Sequence, residues 1–129
     1  MSVLTGGLGE MDQPFTWGRR VGDVVYTTHG PVTPEGTILQ DGIEAQADLT
    51  LRNLAALLAE AGGTLADVVQ ARLYLLDVAD MAPVDRVWRR HFAPPWPNRA
   101  SLVVAGLVAP GMRIELTAIA HLGSGKSGA

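Results

Sequence analysis

The sequence predicts a single α+β domain with element order ββαβαββ. Three observations support this: two stretches with apolar residues at three- and four-residue spacing, five β-branched runs, and glycine or proline punctuation between them. The chain has 129 residues, 47% of them hydrophobic, enough for one core, and no repeat or interior linker divides it. Residues 1–122 are read as the domain and residues 123–129 as a flexible C-terminal tail.

After a loose start, residues 15–20 and 24–28 read as two short strands joined around Gly22-Asp23. The stretch HGPVTPEGTILQDG is turn-rich, punctuated by Pro31, Pro34 and Gly36. A strong helix follows. Ile43, Ala47, Leu51, Leu54, Leu58 and Ala61 form its apolar stripe, Asp41 with Glu44 resembles a capping box, and Gly62-Gly63 stops it. Residues 64–67 make a turn, and 68–78 a long strand with Gln70, Arg72 and Tyr74 on one side. A second helix starts near Asp80 as cap, with Met81, Val84, Trp88 and Phe92 as its stripe. Pro83 is tolerated in its first turn, and Pro94, Pro95 and Pro97 end it. Residues 99–106 and 112–122 then read as a closing hairpin across Val108-Ala109-Pro110-Gly111.

Composition excludes several functions. Thirteen acidic against ten basic residues leave no surplus for phosphate neutralisation, so no nucleic-acid partner is expected, and Arg86, Arg89 and Arg90 read as a solvated helix face. The absence of cysteine removes disulfides, thiolate catalysis and cysteine–zinc sites, and fits a cytoplasmic protein. No apolar run reaches membrane-spanning length, and the first residues lack the pattern of a secretory signal. Gly125-Lys126-Ser127 echoes a phosphate loop, but Ala120 stands where that motif needs glycine. His29, His91 and His121 lie far apart without metal-ligand spacing, so no metal site is expected.

Alternation sorts the last two strands into faces. Met112, Ile114, Leu116, Ala118 and Ala120 form one apolar row, and Ala100, Leu102 and Val104 another; both are expected under the helices. Arg99, Ser101 and Glu115 then fall together on the second face, whose mixed character suits a wet interface in a homo-oligomer. Arg99 and Glu115 read either as an exposed ion pair or as a site in which a guanidinium clamps a small carboxylic acid and a partly desolvated glutamate holds and deprotonates water.

The stretch PNR followed by an apolar strand, a short turn and IELTAIA resembles the closing signature of the RidA/YjgF family of enamine/imine deaminases. VGDVVYTT is similar to that family's early strand, and AQADLTLRNLAALLAEAGGTLADVVQARLYLLDVADM to its first helix and following strand. The resemblance implies a chorismate-mutase-like mixed sheet with two helices on one face, assembled as a homotrimer with sites between subunits. It implies hydrolysis of 2-imino or enamine acids to 2-ketoacids and ammonia, without metal or organic cofactor. Carried over, Arg99 binds the substrate carboxylate, Glu115 positions water, and Ser101 lines the pocket through its backbone. Phe15, Thr28 and His29 complete the expected substrate-binding set. Phe15 stands where the family commonly has tyrosine, His29 where it has glycine, and Asp85 where asparagine is frequent. His29 is read as a loop residue shaping the cleft, with an added proton donor as the other reading. Rival functions are a non-catalytic carboxylate-binding protein and a pathway deaminase with a larger substrate. An RNA-cleaving activity is argued against by the acidic balance.

Overall fold

The structure, a computed structural model, describes residues 2–8 and 12–126. Its strands are β1 (Ser2–Leu4), β2 (Gly18–Val21), β3 (Val24–His29), β4 (Val68–Leu75), β5 (Asn98–Val103) and β6 (Ile114–His121); its helices are α1 (Ile43–Glu60) and α2 (Met81–His91). All six strands form one sheet in the order β1-β2-β3-β6-β4-β5, and both helices pack on one side of it, as the α+β reading expects. No helix among the described residues is long and apolar enough to cross a membrane.

Period-two alternation puts Val25 on β3, Ala71, Leu73 and Leu75 on β4, and Ile114, Leu116, Ala118 and Ala120 on β6 into the core. The α1 stripe of Ala47, Leu51, Leu54 and Leu58 and the α2 residues Val84, Val87 and Trp88 cover them. Each large side chain buried this way contributes about 1.5–3 kcal/mol. The opposite face of the sheet carries Gln70, Arg72 and Tyr74 from β4 and Glu115, Thr117 and Ile119 from β6, and no helix of the described residues covers it.

The expected closing hairpin does not form. β5 pairs with β4 in parallel, Ala71 opposite Arg99 and Leu73 opposite Ser101, while β6 lies on the other side of β4 and runs antiparallel to it. A parallel pair requires a long crossover, which α2 provides; residues 104–113 then carry the chain past β4. The face assignment of β5 inverts as a result. Registered residues of paired strands share a face, so Arg99, Ser101 and Val103 lie on the helix side with Ala71, Leu73 and Leu75. Ala100 and Leu102 lie on the open side. Periodicity shows which residues of one strand face alike, not which strand lies beside it.

Smaller corrections have local causes. The N-terminal stretch, expected to be irregular, contains β1, which pairs with β2. β2 begins at Gly18 rather than at residue 15, and a Cβ at Gly18 would meet Leu57 Cδ1 at 2.8 Å, so β2 sits hard against α1. The N-cap of α1 is Gly42, at φ 95°, with no side-chain cap, so the Asp41–Glu44 box is not made. β4 stops at Leu75, before a 3-10 turn, Val78–Asp80, whose Ala79 N donates to Asp77 Oδ1 at 2.9 Å. Asp80 precedes α2 without capping it; its carboxylate instead accepts from Arg113 Nη2 at 2.8 Å. Within the tail, Ser124–Lys126 form a 3-10 turn and Gly125 N donates to Asp67 Oδ1 at 2.9 Å; residues 127–129 lie outside the described residues.

Candidate functional site

The sheet's topology divides the six expected site residues into two groups. Phe15, Thr28, His29 and Glu115 line one cavity of about 670 Å³, together with Trp17 and the 108–110 loop. Arg99 lines a different depression, of about 350 Å³, with Asp85, Trp88, Arg89, Trp96 and Pro97. Ser101 is exposed on β5, beside neither Glu115 nor the large cavity. Within one protomer, Arg99 and Glu115 therefore face opposite sides of the sheet, contrary to the shared face expected from alternation.

β6 delivers Glu115 to the open face between the buried Ile114 and Leu116, which fix its direction. Burial pushes its carboxyl above the usual glutamate value, because the charged form loses hydration there. No hydrogen bond or ion pair engages it among the described residues. Such a carboxylate is a proton acceptor without a competing partner.

His29 is not a loop residue. It ends β3 opposite Leu116 and is 1% exposed. Its Nε2 lies 2.5 Å from Thr27 Oγ1, which also donates to the Trp17 carbonyl at 2.9 Å. A carbonyl only accepts, so the hydroxyl proton is committed and Nε2–H must donate to Thr27. Nδ1 is thus the bare acceptor, and among the described residues neither it nor the buried Trp17 Nε1 has a hydrogen-bond partner. The two rings stack, 6.4 Å between centroids and 8° apart in plane. Desolvation lowers the imidazole to about 3, so His29 is neutral near pH 7 and its one proton is engaged. The proton-donor reading does not hold.

Arg99 is gripped by α2. Its Nη2 lies 2.8 Å from Asp85 Oδ1, and its guanidinium carbon sits 4.8 Å from the centroid of the Trp88 ring. Asp85 and Trp88 are three apart in sequence and lie on the same helix face. Of the other basic residues on α2, Arg86 and Arg90 pair with Glu44 in exposed contacts of 3.5 and 3.9 Å, as a solvated face should.

Two residues that sequence reasoning missed shape the large cavity. Asn53 Nδ2 donates to Gly30 O at 3.1 Å and Val32 O at 2.9 Å. Gln46 Nε2 donates to Leu39 O at 2.9 Å and Gly111 O at 2.8 Å, while its Oε1 accepts from Arg113 N at 2.8 Å. Both amides are buried in α1 seven residues apart, nearly two full turns, and that spacing among apolar neighbours was the available signal. No cluster of potential metal ligands occurs among the described residues.

The Endoribonuclease L-PSP family model matches residues 10–122. A RutC family protein of Pyrococcus abyssi is 33% identical over 110 residues, covering 84% of this chain and 86% of the relative. The crystal structure of RidA from the Antarctic bacterium Psychrobacter superposes with a TM-score of 0.86 at 29% identity, covering 95% of this chain and 99% of that one. Escherichia coli TdcF with bound serine gives a TM-score of 0.84 at 27% identity, covering 94% and 98%. The curated name of that Escherichia coli protein is "Putative reactive intermediate deaminase TdcF", 28% identical over 83% of this chain and 85% of the relative. Sequence and fold agree along nearly the whole length, from β2 to β6, and the chain belongs to the RidA/YjgF family that the Endoribonuclease L-PSP model describes.

Proposed function

We propose that this protein hydrolyses small 2-imino acids, or their enamine tautomers, to 2-ketoacids and ammonia, in sites completed between protomers of a homotrimer. The observation that carries the reading is Glu115, a partly desolvated carboxyl without a partner among the described residues, on the wall of a cavity large enough for a small substrate. Two names support it: a relative bears a deaminase name, and a solved relative holds serine, a small amino acid with one carboxylate. The opposed directions of Arg99 and Glu115 fit a shared site, because a pocket containing both needs one of them from a neighbouring protomer. β5 is an exposed edge strand, with Leu102 42% and Val103 53% accessible, and so is open to such a neighbour. The net charge of −3 gives no surplus for binding RNA, which favours the deaminase over the ribonuclease in the family's description.

The chemistry needs only water, a proton carrier and orientation. Arg99 holds the substrate carboxylate and fixes the C=N carbon near the water on Glu115. As the water oxygen bonds to that carbon, the C=N π pair moves to nitrogen and Glu115 takes the water proton. Glu115 returns that proton to nitrogen, giving the carbinolamine. It then takes the remaining hydroxyl proton as the carbonyl forms and delivers it to nitrogen as the C–N bond breaks, so ammonia leaves. Imines hydrolyse unaided, so general acid–base help of about 10²- to 10⁴-fold plus orientation is sufficient.

The test generates 2-iminopropanoate in situ and follows ketoacid release. Glu115→Gln should lower kcat by about 10²- to 10³-fold with KM changed little, because proton transfer matters chiefly in the transition state. Arg99→Ala should raise KM at least about tenfold, through the lost carboxylate clamp. A wild-type rate equal to the spontaneous background would overturn the reading; ketoacid binding without turnover would establish a carboxylate-binding protein instead.

A further inference from the structure

We infer that Asp85 determines specificity at the carboxylate clamp: it lends Arg99 a second, built-in carboxylate, which restricts the site to acids with a single negative charge. The inference rests on the proposed role of Arg99 and goes beyond it.

Three observations define the environment of the guanidinium. Asp85 Oδ1 takes Nη2 at 2.8 Å, the Trp88 ring takes one flat face at 4.8 Å, and the guanidinium makes no other hydrogen bond among the described residues. The guanidinium has five N–H donors, so enough remain for a second carboxylate. A substrate acid bound there lies across one guanidinium from Asp85, whose half-buried side chain, 32% exposed, is incompletely screened by water. The substrate feels the cation and, less strongly, the aspartate behind it.

Arg89 lines the same depression and makes no ion pair among the described residues. With Arg99, Arg89 and Asp85 together, the depression keeps one net positive charge, matched to a monocarboxylate. Removing the charge of Asp85 doubles that surplus and favours a dicarboxylate. Asparagine preserves the shape and the acceptor for Nη2 while deleting the charge, so it isolates this effect from the grip on Arg99. The substrate carboxylate keeps its charge from ground to transition state, so in turnover the change falls on KM rather than kcat.

The experiment measures calorimetric affinity of wild type, Asp85→Asn and Asp85→Glu for pyruvate and for 2-oxoglutarate, with KM and kcat on the corresponding imines. Asp85→Asn should bind pyruvate about 3- to 10-fold more tightly, as expected for one partly screened charge, and 2-oxoglutarate should gain by a larger factor. Asp85→Glu, which keeps the charge, should show neither gain. Unchanged or weaker binding by Asp85→Asn, or an equal gain in Asp85→Glu, overturns the inference and leaves the deaminase reading intact. Absence of ketoacid binding in wild type and Asp85→Asn alike overturns both. The predicted affinity pattern without imine turnover supports the role of Asp85 and removes only the catalytic claim.

Discussion

β6 runs through the middle of the sheet with β3 and β4 beside it, whereas β5 forms the margin with β4 alone. Ile114, Leu116, Ala118 and Ala120 on β6 are buried; on β5, Ser101, Leu102 and Val103 are all exposed and Arg99 is only partly covered. The two strands carry similar small and branched residues, so the difference comes from position and not composition. A central strand has its directions fixed by neighbours within the chain. An edge strand leaves part of its energetics to whatever docks on it. Glu115 sits on the first kind, its direction fixed by strands on either side; Arg99 sits on the second, where Asp85 and Trp88 of α2 hold its guanidinium instead of a second neighbouring strand.

The largest effect should come from shortening matched leucines on these strands. Leu116→Ala, at 0% exposure, should cost about 2–5 kcal/mol of protomer stability, whereas Leu102→Ala should cost under about 1 kcal/mol. Denaturant unfolding measures both, and sedimentation shows whether Leu102→Ala shifts the oligomeric state instead. Equal destabilisation would remove the contrast between strands.

Next in size is acid sensitivity from His29, at the end of β3 beside β6. Its folded pKa is depressed from 6.5 to about 3, so the unfolded chain takes up a proton that the native state refuses. Stability should be fully present above about pH 6.5 and decline as pH falls towards 3, a loss of about 2–3 kcal/mol by pH 4.5. His29→Gln should flatten that decline in unfolding curves recorded from pH 7 to pH 4.

The smallest effect is a displacement. Burial raises Glu115, and the base must be ionised to take a proton, so the acid limb of kcat should lie above the ordinary glutamate value of 4.5. Native Glu115 holds its proton more tightly than the unfolded chain does. Stability gained through that proton is present at low pH and lost as pH rises through the raised value. A pH–rate profile with its limb at or below 4.5 would contradict the desolvated setting.

Much of the fold was legible because it depends on strong periodicity. The stripes from Ala47 to Ala61 and from Val84 to Phe92 are buried, the alternation of β6 holds residue by residue, and that of β4 holds from Gln70 to Leu75, past a register shift between Val68 and Gln70. Residues 99–106 failed for a physical reason: the partner strand was decided by the crossover through α2, a long-range matter that local pattern does not encode. The same holds at the candidate site. Alternation within β6 put Glu115 on the uncovered face correctly, but the hairpin assumption placed Arg99 beside it, and register with Ala71 places it opposite. The commitment of the His29 proton to Thr27 depends on where Trp17 lays its carbonyl, which no spacing rule supplies.

The carboxamides of Gln46 and Asn53 tether the segments that wall the large cavity, and every donor bond they make ends on a main-chain carbonyl. Main-chain oxygen is the same whatever residue bears it. Val32, Ile38 and Val108 can therefore be exchanged for larger or more polar groups without untying the walls. The helix works as a mould and the loop side chains as its replaceable lining, so new ligand preferences can be reached by resurfacing the interior rather than rebuilding its frame.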